Sequence, residues 1–434
     1  MQAVAMPVSE GAVRTDRRAK KLHAVGVLCG FTAGAWLGAA EAPTKLVSVG
    51  VSPLVISLIM VIGVFLARWS LPALIVGTSS IRADVQRSPH LIVWALLAGC
   101  MWAVANTLTI FAIRDIGLSI AFPLWNSNSL LGIFWGFVFF RELRQAGWRH
   151  WIGVLGGALM MCAGATLLAI ASSTQAPAGH SMRGVWAALG AGILWGTMYI
   201  PYRKAYLSGM NPLSFVTFFT FGELGMMATL TVSYLGFTVL WRELVSARAV
   251  LFWLMAGGFI WVIGDLFQQY AAKYLGISRG IPLSNSNQLW GLLWGIFVFG
   301  ELHGSGAPTY LQVIGGSLLM MLGVAAIAFS SATGEEQVQW AAATQRECQR
   351  YGMDNQFVAA RMHGEDGAAE TRGVRRPLDW ILVAMATGVF VYFGTLARAP
   401  SLPFNGPIAA LLTVAILILL VVCGSMLWRT TRFN

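Results

Sequence analysis

Two stretches of this chain, FPLWNSNSLLGIFWG at 122–136 and IPLSNSNQLWGLLWG at 281–295, set Asn126, Asn128, Asn285 and Asn287 inside runs that otherwise suit hydrocarbon. Each amide carries both a donor and an acceptor, a chemistry suited to holding a hydroxylated ligand. The plainer alternative is that the amides join helices, since interhelical hydrogen bonds in membranes are common and worth about 0.6 kcal/mol on average. Two carboxylates also fall inside apolar runs, Glu223 in FFTFGELGMM and Asp265 in WVIGDLFQQY, with Gln268 following. Acids at such depth mark ion or proton pathways by default, so Asp265 and Glu223 are the candidates for proton coupling. Permanent pairing or protonation is the other reading of Glu223. Arg68 reads either as a partner for these acids or as a snorkelling side chain near a helix end.

Other chemistries are excluded by what is missing. His23, His90, His150, His180, His303 and His363 all fall at span ends or in polar segments, so no paired histidines inside the apolar runs could ligate haem or a catalytic metal. No cofactor is expected. There is no G-x-x-x-x-G-K-[ST] phosphate loop, no G-x-S-x-G elbow and no H-E-x-x-H pair, which argues against ATP-driven transport and against a hydrolase. Cys29, Cys100, Cys162, Cys348 and Cys423 stand singly, giving neither a disulfide framework nor a thiolate metal site. The chain does not read as an enzyme.

The elements that position the amides must be membrane helices. With 57% hydrophobic and 11% charged residues and a mean hydropathy of +0.67, the chain lies far from the roughly 25% charged composition of soluble domains. Apolar runs that match a ~30 Å hydrocarbon core fall near 23–44, 52–77, 91–113, 117–140, 150–172, 184–202, 212–237, 250–272, 276–300, 309–331, 378–398 and 404–428. The basic arm at 1–22 precedes an apolar run too long for a signal-peptide core, so it reads as a cytoplasmic arm leading into a retained first helix. With that orientation, 23 of the 29 Lys and Arg fall in inner segments, as the positive-inside rule requires of a multi-pass inner-membrane protein with both termini cytoplasmic. The net charge of +11 therefore needs no nucleic-acid partner; lipid is the expected surround.

The chain also repeats itself at an offset of 158 to 159 residues. Gly26–Lys45 matches Gly184–Arg203, Trp94, Gly99 and Trp102 match Trp253, Gly258 and Trp261, and 14 of 27 positions agree between Gly117–Leu143 and Gly276–Leu302. A five-helix unit duplicated in tandem enters the membrane from opposite sides, so the expected fold is all-α with two inverted five-helix repeats, 23–172 and 173–331. Asn126 lies nine residues beyond Gly117, roughly 14 Å along a helix, and Asn285 lies as far beyond Gly276. Both amide motifs are thus expected at the midplane, each three residues after a proline, Pro123 or Pro282, that frees a carbonyl. By the same matching, Asp265 takes the position of Asn106, and Trp102 pairs with Trp261. Those indoles offer apolar platforms for the C–H face of a ring, although most membrane tryptophans sit at interfaces.

Residues 332–377 read as a polar cytoplasmic linker, with a short surface helix near 335–350, and 378–434 as an accessory transmembrane hairpin for packing or assembly.

The residues Gly38, Pro43 and Lys45, their counterparts Gly196, Pro201 and Arg203, and the pairs Trp102–Asn106 and Trp261–Asp265, on a five-plus-five inverted arrangement, resemble the drug/metabolite transporter superfamily. Within it they look most like the sugar-uptake branch, which holds bacterial glucose/ribose porters and the rhamnose–proton symporter. The resemblance covers roughly 22–331 and implies secondary active transport of a sugar driven by protons. On the reading of the residues themselves, Asn126, Asn128, Asn285, Asn287, Asn106, Gln268, Trp102 and Trp261 are the candidate solute-binding residues. The added linker and hairpin, and Asp265 in place of a second Asn106, depart from the pattern. An exporter of metabolites or drugs from the same superfamily and a non-transporting scaffold or receptor are the rival readings.

Overall fold

A computed structural model of the chain describes residues 10–47, 50–140, 147–175, 180–275, 277–330, 333–362, 375–398, 402–431 and 433. Positions 1–9 of the basic arm, Arg141, Arg144, Gly276 and 363–374 of the expected linker lie outside the described residues. Among those described, every regular element is helical. The first half holds α1 (Glu10–Ala40), α2 (Ala42–Val47), α3 (Pro53–Ile75), α4 (Thr78–Arg87), α5 (Leu91–Ile116), α6 (Leu118–Trp125), α7 (Asn128–Phe140) and α8 (Trp148–Gln175). Next come α9 (His180–Leu207), α10 (Pro212–Leu235), α11 (Phe237–Ser246), α12 (Leu251–Leu275), α13 (Ile277–Ser284), α14 (Asn287–Leu292) with a π-helical turn at Leu293–Val298, and α15 (Ala307–Ser330). The chain closes with α16 (Thr333–Tyr351), α17 (Asn355–Met362), α18 (Pro377–Leu396) and α19 (Gly406–Thr431).

Nine of the helices among the described residues are long and apolar enough to cross a membrane, and the chain is an all-α integral membrane protein. Three expected spans are not among the nine. The runs 117–140 and 276–300 are each broken at their amides into short pieces, and 184–202 lies within the 28-residue α9, where glycine, Trp and Tyr dilute the hydropathy.

Local chemistry sets the helix ends in matching fashion. α3 starts from Ser52, whose Oγ accepts from Val55 N at 3.4 Å, with Pro53 at the first helical position. α10 starts from Asn211, whose Oδ1 accepts from Leu213 N at 2.9 Å, with Pro212 in that place. Both use a polar side chain to satisfy an orphan amide and a proline where no N–H is needed. Gly77 and Gly236, at φ 83° and 73°, turn the chain after them.

Glycines then decide which helices meet backbone to backbone. A methyl on Gly63 of α3 would strike the Met255 carbonyl of α12, and one on Gly258 of α12 would strike Met60 of α3; Gly99 of α5 and Gly222 of α10 meet Phe219 and Leu96 in the same way. Such small-residue contacts let membrane helices gain close packing where no hydrophobic force drives them together. α1 approaches the second amide break through Gly34 and Gly38, against Ser286 and Trp290, while α9 approaches the first through Gly192 and Gly196, against Ser127 and Leu131. Each of these contacts recurs 158 to 159 residues along the chain.

The polar tail is docked. α16 covers the Glu- and Gln-rich patch, and Tyr351 at its end stacks on His90 with ring centroids 3.6 Å apart. Arg361 of α17 pairs with buried Asp84 at 3.1 Å, and Asp84 also accepts from Ser214 Oγ at 2.6 Å. Arg375 donates to the Ala73 and Ile75 carbonyls at 2.8 and 2.9 Å, placing a cation where α3 ends and its dipole is negative.

At another site, Glu301 receives the start of α6. Its carboxylate accepts from Leu118 N and Ser119 N, both at 2.9 Å, and from Ser119 Oγ, and it pairs with Lys45 at 3.1 Å. Burial by itself would raise the Glu301 carboxyl, but Lys45 and the Ser119 and Leu118 donors outweigh it and hold the group below its ordinary value. A depressed carboxyl contributes stability that is present above its unfolded pKa and is lost as pH falls through the folded one. The melting temperature of Glu301→Gln is therefore expected to lie below the parent's at neutral pH, and the gap to close on acidification through the carboxylate range. Melts taken across pH 7 to about 3 check this, and a gap that persists in acid would show that packing, not charge, makes the difference.

Candidate functional site

The two broken helices cross at their breaks. After Pro123, the backbone tightens from i−4 to i−3 bonding, with Ser127 N on Leu124 O at 3.3 Å and Leu130 N on Ser127 O at 3.0 Å. After Pro282, Ser286 N on Leu283 O (3.3 Å) and Leu289 N on Ser286 O (3.0 Å) do the same. Such short 3₁₀ turns leave carbonyls without helical partners. Each broken helix supplies the other's need: Asn285 Nδ2 donates to Asn126 O at 3.2 Å, and Asn126 Nδ2 to Asn285 O at 3.5 Å. Further bonds interlock the side chains, from Asn126 Nδ2 to Asn287 Oδ1 at 2.6 Å and from Asn285 Nδ2 to Asn128 Oδ1 at 3.0 Å. Asn128 Nδ2 in turn donates to Tyr199 Oη of α9 at 3.3 Å.

Against this crossing lies a cavity of about 40 Å³, room for about three waters and too small for a sugar. Its polar wall is Asn126, Asn128, Asn285, Asn287, Gln268, Tyr199 and Glu41; its apolar wall includes Phe122, Trp125, Trp195 and Trp261. The arrangement combines amides, a carboxylate and indole faces, the mixture that orients a hydroxylated ring.

Six of the residues singled out in the sequence thus share one cavity. The other four do not line it. Trp102 is fully buried behind Trp261, with ring centroids 4.7 Å apart and nearly edge to face. Asn106 donates to Ser57 Oγ at 2.8 Å. Asp265 and Glu223 turn to Arg68, which the structure places inside α3 and not at a helix end.

These three charges form a dry trio with no exposed side-chain area. Arg68 Nη2 bonds Asp265 Oδ2 at 2.7 Å, Gln269 Nε2 donates to Asp265 Oδ1 at 2.8 Å, and Glu223 Oε1 lies 3.2 Å from Arg68 Nη1 without hydrogen-bond geometry. The guanidinium also lies over the Phe219 and Trp261 rings, at 4.3 and 5.1 Å. Trp261 therefore separates trio from cavity and touches both. Asp265 has a cation and an amide as partners, so of the two readings of Arg68 the structure takes the acid partner.

Sequence reasoning passed over Glu41, Trp125, Trp195 and Tyr199. Glu41 was in view as part of the repeat match between GAAEAPTK and GTMYIPYR, where it falls opposite Tyr199. A carboxylate inside the apolar run that becomes α1 and α2 was the signal.

Comparison with known proteins finds similarity over part of the chain. The family described as Sugar transport protein matches residues 186–351. A protein of Streptococcus pyogenes serotype M1, named provisionally as a sugar uptake protein, is 31% identical over 161 residues, 36% of this chain and 50% of its own length. A provisionally named sugar uptake protein of Lactiplantibacillus plantarum is 39% identical over 93 residues, 21% of this chain and 31% of its own. The chain spans about half the length or less of these curated relatives. A solved structure described only as a crystal structure of a protein aligns over 68% of this chain and 96% of its own, with 17% identity and a TM-score of 0.39, a likeness that carries no argument.

Proposed function

We propose that this chain is a secondary active transporter of a small polyhydroxylated solute, a sugar, working by alternating access in the cell membrane with both termini cytoplasmic. The observation that carries this reading is the cavity where two interrupted helices cross, because interrupted helices at a repeat interface are how secondary transporters build midplane sites. The partial match to a sugar transport family supports the solute class, and the helix contacts recurring 158 to 159 residues apart support two inverted five-helix repeats with the hairpin appended. Membership of the drug/metabolite transporter superfamily is part of the proposal.

Asn126, Asn128, Asn285, Asn287, Gln268 and Trp261 then face the solute, and Asn106 and Trp102 support that wall from behind. Asp265 and Glu223 remain the coupling acids: two carboxylates against one guanidinium leave one proton to be placed and released. The cavity as built is too small for a sugar, so one enters only when the repeats rock apart. Counterflow of labelled D-glucose in liposomes holding the purified chain tests the proposal, after a thermal-shift screen against monosaccharides, in which a true ligand raises the melting point by mass action. Stabilisation by some monosaccharide with counterflow of the same sugar is expected. A chain that neither binds nor exchanges any monosaccharide would sink the sugar reading and favour a scaffold.

A further inference from the structure

Most amide donors at the helix crossing are spent on one another or on Tyr199, but among the described residues two groups lining the cavity hold a buried polar atom without a partner, Trp195 Nε1 and the Glu41 carboxylate. Glu41, in the turn between α1 and α2, is 3% exposed and lines the cavity, and its Oε2 has no hydrogen-bond partner. Its counterpart in the repeat is Tyr199, which accepts from Asn128. The matching pair on the other side is Glu41 with Asn287. Both line the cavity, yet among the described residues no hydrogen bond joins them. One repeat therefore joins its pair by a bond, and the other leaves a Glu41 oxygen with no donor among the described residues.

A buried ionised carboxylate without donors is strongly unfavourable, and such a group takes a proton or a ligand. Among the described residues no neighbour supplies the charge. On α2, Lys45 is drawn to Glu301; on α12, Asp265 is held by Arg68 behind Trp261; on α9, Tyr199 is engaged by Asn128. The break between α13 and α14 presents Asn285 and Asn287 here, and α19 meets α1 through Cys423 and Cys29.

We propose that Glu41 is the proton-carrying solute ligand of this cavity. In an opened state, its carboxylate takes a proton from water. The resulting O–H donates to a solute oxygen held between Glu41 and Asn287, and the site closes over a neutral pair. The proton then crosses with the solute and returns to water on the far side. This deepens the transport reading and rests on it for the solute, but not for the proton.

The test uses the full chain in liposomes. The infrared carbonyl band of a protonated carboxylic acid is followed against pH in the parent, Glu41→Gln and Glu41→Asp. The parent is expected to show a band that fades as pH rises; Glu41→Gln, isosteric with the neutral acid, loses Glu41's share of that band and leaves only what Asp265 and Glu223 contribute, and Glu41→Asp keeps the share with a shifted midpoint. An undiminished band in Glu41→Gln, or no titrating band in the parent, overturns the proposal. In a second arm, a pH gradient drives D-glucose accumulation in the parent, and Glu41→Gln is expected to fall to the equilibrium level while still exchanging. Accumulation equal to the parent's would also overturn it. A parent that moves no sugar counts against the transport reading alone, because the infrared arm still judges Glu41.

Discussion

Arg68→Met is expected to remove most of the folded protein from the membrane fraction. The substitution leaves Asp265 and Glu223 buried together with no cation, and breaking a buried ion pair by deleting one partner costs about 3–5 kcal/mol, a large share of the ~5–15 kcal/mol that holds a typical protein folded. Lost stacking on Phe219 and Trp261 adds to the loss. The same principle gives the control: replacing all three charges at once, Arg68→Met with Glu223→Gln and Asp265→Asn, removes the orphaned carboxylates and should recover yield and melting temperature. Fluorescence-detected size exclusion of the variants measures both. If the single variant folds as well as the parent, the trio contributes nothing as a charge-balanced unit.

Asn285→Leu is expected to weaken solute binding roughly 5- to 150-fold, the equivalent of about 1–3 kcal/mol for leaving buried hydrogen-bonding groups unpaired. It should lower the melting temperature as well, because Asn285 Nδ2 serves both Asn126 O and Asn128 Oδ1. Of the two readings that competed in the sequence, the cluster's bonds show the joining of helices, and facing a solute is the one this variant tests. The deciding measurement is the affinity for the best monosaccharide from the thermal screen, taken on the folded fraction of the variant. A destabilised variant with the parent's affinity would remove Asn285 from the site.

How far the sequence alone leads can be judged from these residues. Amides in apolar runs, each three residues after a proline, identified the two stretches that meet, because an amide in hydrocarbon must find a partner and the repeat names it. The breaks themselves were hidden: 117–140 and 276–300 read as continuous spans, since hydropathy does not register a change from i−4 to i−3 bonding. Rotation was hidden too. Spacing along a helix gives depth, but the direction of a side chain depends on the neighbouring helices. Asp265 and Asn106 hold equivalent positions, yet one finds Arg68 and the other Ser57. Arg68 stood open between acid partner and snorkelling side chain because its partners lie 155 and 197 residues away in the chain. Glu41 was obscured by the motif around it, where Gly38, Pro43 and Lys45 drew the attention.

The glycine crossings have a consequence for how this chain tolerates change. At Gly63, Gly99, Gly222 and Gly258 the space for a side chain is already occupied by the main chain of a facing helix, which no rotamer can vacate. A saturation scan should therefore show bands of intolerance in registered pairs, Gly63 with Gly222 and Gly99 with Gly258, and again Gly34 with Gly192 and Gly38 with Gly196. Positions such as Gly156, Gly225 and Gly388, where an added methyl meets nothing within 4 Å, should accept alanine freely. Plotted against itself at a lag of 158 to 159 residues, the fitness profile would then carry the symmetry of the bundle, so that selection experiments in living cells could read the architecture with no coordinates at all.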